Sequence, residues 1–276
     1  MKIKILSVLM IMIYSINGSS QDSNFHIYLS LGQSNMEGSA RFQQQDTIGV
    51  DKRFRVLEAV DCPNLGRVKG QWYTALPPLC RCRSGLSPAD YFGRTMVQNL
   101  PKNIKVGVIN VAVGGCKIEL FDKNNFQSYV ATAPGWLQNM VKEYDGNPYQ
   151  RLVEMAQLAQ KAGVIKGILL HQGESNTGDT LWPAKVKGVY DNLLKDLGLE
   201  AGSVPLLAGE LVATDQKGAC ASMNKIIATL PQTIARAYII PSTGCEGVAD
   251  RLHFSATGYR ELGRRYAAKM LALQGY

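Results

Sequence analysis

A serine hydroxyl becomes an effective nucleophile when three things surround it. An imidazole must take its proton, a carboxylate must hold that imidazole, and N–H groups must receive the charge that develops on the attacked carbonyl. The sequence offers candidates for each part. Ser34 follows an apolar run and a glycine in FHIYLSLGQSNMEG, residues 25–38. The chain has only three histidines, so the search for a base is short. His26 starts the run that leads to Ser34 and lies at its far end. His171 ends another apolar segment and reads as core. His253 lies in a polar loop three residues after Asp250. In a turn, that spacing brings the carboxylate back onto the ring Nδ1, fixing the tautomer and stabilising the imidazolium. For the oxyanion, the Gly114-Gly115 pair offers an amide that no side chain obstructs. The Ser34 amide and the Gln172 side-chain amide are the other donors. Glu174 has two readings, a second carboxylate orienting His253 or a structural acid bonded to the Ser34 loop. Glu37 reads as an acid that stabilises the turn.

These residues need a scaffold that gathers them. Ser34, Gly114-Gly115 and Gln172 to Glu174 each follow an apolar, strand-like run, at residues 25–31, 104–113 and 164–170. Two further strands are expected at 204–212 and 234–240. Helical patterns lie between them. Ser87-Pro88 and Asn147-Pro148 open helices with a capping side chain and a preorganised first residue. Residues 183–197, 223–230 and 256–273 also read as helical. Alternation of this kind implies an α/β fold, a central parallel sheet of about five strands covered on both faces. Ligands of such sheets bind beyond the carboxyl ends of the strands, where the three polar runs sit. Asp250 and His253 follow the last strand. Residues 40–86 have no clean period and read as a long decorated connection. Trp72, Tyr73 and Arg83 in it are candidates to line a sugar site, or equally to serve in ordinary packing and as a solvated charge.

The first twenty residues stand apart. Lys2 and Lys4 precede an apolar stretch, and small residues Gly18 and Ser20 follow it. That is the pattern of a secretory signal peptide cleaved after Ser20, which places the protein outside the cytoplasm, secreted or periplasmic. The apolar stretch is shorter than the roughly 20 residues of a membrane span, so no stable membrane insertion is expected after cleavage. Residues 21–276 then read as one domain. The formal charge of +8 loses two positives with the leader, and the rest are spread along the chain rather than clustered, which gives no reason to expect nucleic acid. Six cysteines permit bridges in an exported chain. Proximity suggests Cys62 with Cys80 or Cys82, and Cys220 with Cys245. Cys116 is left over, beside Gly115. The single-residue gap between Cys80 and Cys82 does not suit zinc.

Four blocks in order, GQSNMEG, VAVGG, HQGESN and DRLHFSATGYRELG, resemble the SGNH hydrolases. Within them they are most similar to carbohydrate acetylesterases of the acetylxylan esterase and sialate O-acetylesterase type. The resemblance spans about residues 25–263. It implies a three-layer α/β/α, flavodoxin-like fold, Ser34 as nucleophile, His253 as base and Asp250 as its acid. It further implies Glu174 as a helper acid, and Gly115 and Gln172 as oxyanion donors. The implied substrate is an acetylated carbohydrate, with xylan-type polysaccharide first, and no metal or organic cofactor is required. Cys116 departs from the small hydroxyl residue expected after Gly115. A bridge from it to another cysteine would stiffen the oxyanion loop.

Overall fold

The computed structural model describes residues 21–276. The expected leader lies outside the described residues. The chain opens with β1 (Asp22–Gly32), whose successive side chains point to opposite faces. Phe25, Ile27, Leu29 and Leu31 pack into one core cluster and Tyr28 into the other. A strand buried on both faces is the central strand of a covered parallel sheet. The short α1 (Ser34–Glu37) and α2 (Gln44–Thr47) follow, then β2 (Phe54–Leu57) and β3 (Trp72–Thr74). α3 (Pro88–Asn99) is capped as its sequence suggests: Asp90 Oδ2 accepts the Ser87 N–H at 2.9 Å, and Pro88 occupies the first turn. β4 (Lys105–Ala112), α4 (Phe126–Thr132) and α5 (Gly135–Lys142) come next. α6 (Pro148–Gln160) starts where Asn147 Oδ1 accepts the Gln150 N–H. The second half runs β5 (Gly163–His171), α7 (Trp182–Asp196), β6 (Leu206–Gly209), α8 (Asn224–Ile227), α9 (Leu230–Thr233), β7 (Ala237–Ile240) and α10 (Ala256–Gln274).

The strands form one sheet in the order β3-β2-β4-β1-β5-β6-β7. It has seven strands rather than the five expected. The two extra come from residues 40–86, where runs of three and four residues are too short to show a period. β3 alone runs antiparallel, on the edge. α3 and α10 cover one face, with Phe92, Met96, Tyr259, Leu262 and Tyr266 in its core. α6 and α7 cover the other, with Leu152, Ala156, Val186 and Leu193. The three-layer α/β/α reading therefore holds.

Register matters most for the site. Gly32 pairs with Ala112 of β4 on one side and with His171 of β5 on the other. The residues after these three strands therefore emerge level with one another. Between β4 and β5 the chain crosses over β1, so the carboxyl end of β1 is the switch point where such folds hold ligands. Gly32 is fixed by this crowding. Its φ is +152°, and a Cβ there would lie 2.0 Å from the His171 carbonyl oxygen.

One disulfide joins Cys62 to Cys82, the second of the two partners expected for Cys62. The expected pair Cys220–Cys245 is not formed. Cys245 is buried in the α3/α10 face, whereas Cys220 packs on the α6/α7 face, with the sheet between them. Cys116 is a free thiol, fully buried, and donates to the Gly32 carbonyl at 3.6 Å. Burial raises its pKa well above the usual thiol range, so it stays protonated and inert.

Candidate active site

Ser34 opens α1 immediately beyond β1 and is half-buried. Its Oγ lies 2.8 Å from His253 Nε2, and His253 Nδ1 lies 2.7 Å from Asp250 Oδ2. The Asp250 turn makes this possible. Its Oδ1 accepts the N–H of Leu252 at 2.8 Å and of His253 at 3.0 Å, which directs Oδ2 at the ring. Arg251 takes a left-handed φ of +61° to close the turn. Burial pushes the Asp250 carboxyl upward, but the bonds from the His253 ring and the two amides outweigh it, holding the group below the usual range. Asp250 is thus an anion at neutral pH and fixes the proton on His253 Nδ1. The free Nε2 then accepts from Ser34. This arrangement can pass a proton from a serine to an imidazole during attack on an ester.

Asn35 ties the two halves together. Its Nδ2 donates to the Leu252 carbonyl at 2.9 Å and to Glu174 Oε1 at 2.5 Å. Its Oδ1 accepts from the Phe254 N–H at 3.4 Å and from the Tyr259 hydroxyl at 2.5 Å. The residues flanking His253 are therefore pinned to the residue after Ser34, although more than two hundred positions separate them. Glu174 makes no hydrogen bond to His253. Its side chain is 7% exposed, bonded to Asn35 and 4.0 Å from His171 Nε2. Burial raises the pKa of Glu174 and lowers that of His171 to about 3. Of its two readings, the contacts match the structural acid of the Ser34 loop. His171 is core, and His26 lies at the opposite end of β1.

The three donors expected for the oxyanion fare differently. Neither the Ser34 N–H nor the Gly115 N–H has an acceptor among the described residues. Gly115 is exposed, with a left-handed φ of +70°. Gln172 is 1% exposed, and its N–H groups are engaged with Asn176 Oδ1 (2.8 Å), Gln33 Oε1 (3.1 Å) and the Cys116 carbonyl (3.2 Å). The Trp182 indole, which can only donate, takes Gln172 Oε1 at 2.5 Å and so sets which way the amide faces. Gln172 therefore joins the ends of β1, β4 and β5 rather than offering a free donor beside Ser34.

Glu37 has a larger part than a turn acid. Its Oε2 accepts the Gly114 N–H at 2.6 Å, and its Oε1 accepts from Arg81 Nη2 at 2.5 Å. Arg81 also donates to Glu143 Oε1 at 2.5 Å. This ion pair holds the Gly114-Gly115 turn in place. Ser175 Oγ donates to the Gly115 carbonyl at 2.9 Å from the other side. Sequence reasoning passed over Arg81 and Tyr259, and gave Asn35 no part of its own. Asn35 lies inside the GQSNMEG block and carried that signal. Tyr259 likewise lies inside the DRLHFSATGYRELG block. Arg81 carries no local signal, since its partners Glu37 and Glu143 are distant in sequence.

A groove of about 560 Å³ runs from Gly38 and Ser39 past Arg41, Phe42 and Leu65 to Arg83. Ser39 Oγ donates to the Ser34 carbonyl, but neither Ser34 nor His253 lines the groove. Of the three residues proposed for a sugar site, Arg83 lines it. Trp72 instead packs on Phe25, with ring centroids 4.8 Å apart, and the Tyr73 hydroxyl accepts the Val68 N–H. No helix among the described residues is long and apolar enough to cross a membrane.

Three solved structures share this fold over most of the chain. A protein from Arabidopsis thaliana superposes with a TM-score of 0.69 at 18% identity, over 90% of this chain and 98% of its own. NanS gives 0.64 at 15% identity, over 92% and 98%. XAC1771, a carbohydrate acetylesterase from Xanthomonas citri, gives 0.62 at 18% identity, over 91% of this chain and 57% of its own. The family model for carbohydrate esterases described as sialic acid-specific acetylesterases matches residues 24–272. The chain therefore belongs to that family of carbohydrate acetylesterases and is a carboxylic ester hydrolase.

Proposed function

We propose that the protein is an exported serine esterase that removes O-acetyl groups from carbohydrate, with acetylated xylan or a related plant polysaccharide as the leading substrate. The single observation that carries the reading is the hydrogen-bonded chain from Ser34 through His253 to Asp250. Ser34 Oγ attacks the acetyl carbonyl carbon while His253 Nε2 takes its proton. The carbonyl oxygen becomes an oxyanion that accepts from the Ser34 and Gly115 amides. Collapse breaks the bond to the sugar oxygen, which leaves as an alcohol with the proton from His253. Water, deprotonated in turn by His253, then attacks acetyl-Ser34 and releases acetate. Glu174 and Gln172 act as positioning residues, through Asn35 and the strand ends. The domain begins after a leader of twenty residues.

The family description favours a second substrate, O-acetyl sialate. Acetate release from acetylated xylan beside 9-O-acetyl sialate separates the two. The xylan reading requires the larger kcat/KM on xylan, abolished in Ser34→Ala with the fold intact by circular dichroism. Preference for sialate would replace the substrate, and full activity of Ser34→Ala would remove the mechanism. The rival of a different class, a sugar-binding module without catalysis, is set aside by the esterase family match.

A further inference from the structure

The chain has three tryptophans, Trp72, Trp136 and Trp182. Trp182 is fully buried and Trp72 is packed on Phe25, but Trp136 is 53% exposed. A lone exposed aromatic on a surface needs no explanation. Trp136 differs because of where it sits. A Cβ built on Gly115 would lie 2.6 Å from its Cη2 and 3.2 Å from its Cζ3, so the indole lies directly against the glycine whose N–H has no acceptor among the described residues. The helix that carries it cannot drift. Leu137 and Val141 of α5 are buried in the core, and Met140 Sδ contacts Arg81 Nη2 at 3.3 Å, the arginine that also holds Glu37. The result is a flat apolar surface, fixed against the oxyanion turn and open to solvent.

Resting on the acetylesterase reading, we infer that Trp136 is the platform on which the sugar ring bearing the acetyl group stacks. The carbonyl oxygen is held at the Gly115 amide. The ring carbon that carries the ester oxygen is joined to that atom only through the carbonyl carbon and the ester oxygen, so it lies close by, over the adjoining indole. A pyranose with equatorial substituents presents a face of C–H bonds that suits an aromatic ring, and leaves its hydroxyls at the rim. The class that fits is an acetyl ester on a ring carbon, as in a xylosyl residue. An ester at the end of a sialate glycerol tail would carry its ring past the indole.

The test compares wild type, Trp136→Ala and Trp136→Phe on an acetylated methyl β-xylopyranoside, on 9-O-acetyl sialate, and on ethyl acetate, whose leaving group has no ring. In Trp136→Ala the ratio of kcat/KM for the xyloside over ethyl acetate should fall about tenfold or more, chiefly through KM. Trp136→Phe should restore most of it. A binding arm uses Ser34→Ala protein, in which tryptophan emission should shift on adding the acetylated xyloside and should not shift once Trp136→Phe is added. An unchanged ratio, with equal losses on both esters, would show that the indole only props Gly115 and would overturn the inference. A larger loss on the sialate than on the xyloside would overturn the ring-carbon assignment. Wild-type inactivity on every ester would instead sink the esterase reading, and the emission arm would still decide the stacking.

Discussion

Asp250→Asn against Glu174→Gln is the sharpest test of which carboxylate serves His253. In Asp250→Asn the two backbone amides of Leu252 and His253 still require an acceptor, so the new carboxamide oxygen stays where Oδ1 is. The amide nitrogen then faces His253 Nδ1 and can only donate to it. The imidazole proton moves to Nε2, which now donates to Ser34 Oγ and no longer accepts its proton. The variant also loses the charge that stabilises the imidazolium. At about 4 Å and an effective dielectric between about 20 and 80, that is about 1–4 kcal/mol, or between about fivefold and a thousandfold in rate. Asp250 is 46% exposed on its side chain, so water supports part of the charge in the variant. A fall of about 10² in kcat follows, with KM little changed. Glu174→Gln keeps the oxygen that accepts from Asn35 and breaks no bond to His253, so its loss should stay under about tenfold. Steady-state kinetics on a soluble acetate ester measures both. A loss in Glu174→Gln equal to or greater than that in Asp250→Asn would refute the reasoning.

Three further outcomes follow from other contacts. Glu37→Ala frees the Gly114 amide and should lower kcat by about 10² through the adjoining oxyanion donor. Glu37→Gln keeps that acceptor and should lose less than about tenfold; equal losses would place the effect elsewhere. Replacing Cys62 and Cys82 together with serine opens a loop of sequence separation 20, worth about 3 kcal/mol. The thermal midpoint should then fall by about 6–12 °C, and an unchanged midpoint by calorimetry would contradict it. Burial pushes the Asp90 carboxyl up from 3.8 to about 7, so between those values the folded state holds a proton that the unfolded chain has released. The stability contribution is whole below about pH 4 and is lost as pH rises toward 7. Denaturant titrations across that range should show the decline in wild type and a flatter line in Asp90→Asn.

Much of this was legible before any coordinates. Ser87-Pro88 and Asn147-Pro148 mark real helix starts because capping is local chemistry. The three strand ends converge because a parallel sheet must place them on one edge. What stayed hidden depends on contacts that no local pattern encodes. Cys82 rather than Cys80 bridges Cys62, a choice made by side-chain direction. Gln172 looked like a free donor, yet Trp182, Asn176 and Gln33 claim it from three other segments. Trp136 reaches Gly115, and Arg81 reaches the same turn through Glu37, from segments that show no clean period of their own. α4 and α5 were missed because they are short and carry no strong start signal.

The account stands on Ser34 being the atom that becomes acylated. Brief treatment of the native enzyme with a fluorophosphonate, followed by peptide mass spectrometry, reads this directly. One label per chain on the peptide containing Ser34 is expected, with none in Ser34→Ala and none in the unfolded enzyme. A label on a different residue, or turnover of acetate ester by protein fully labelled at Ser34, would contradict it.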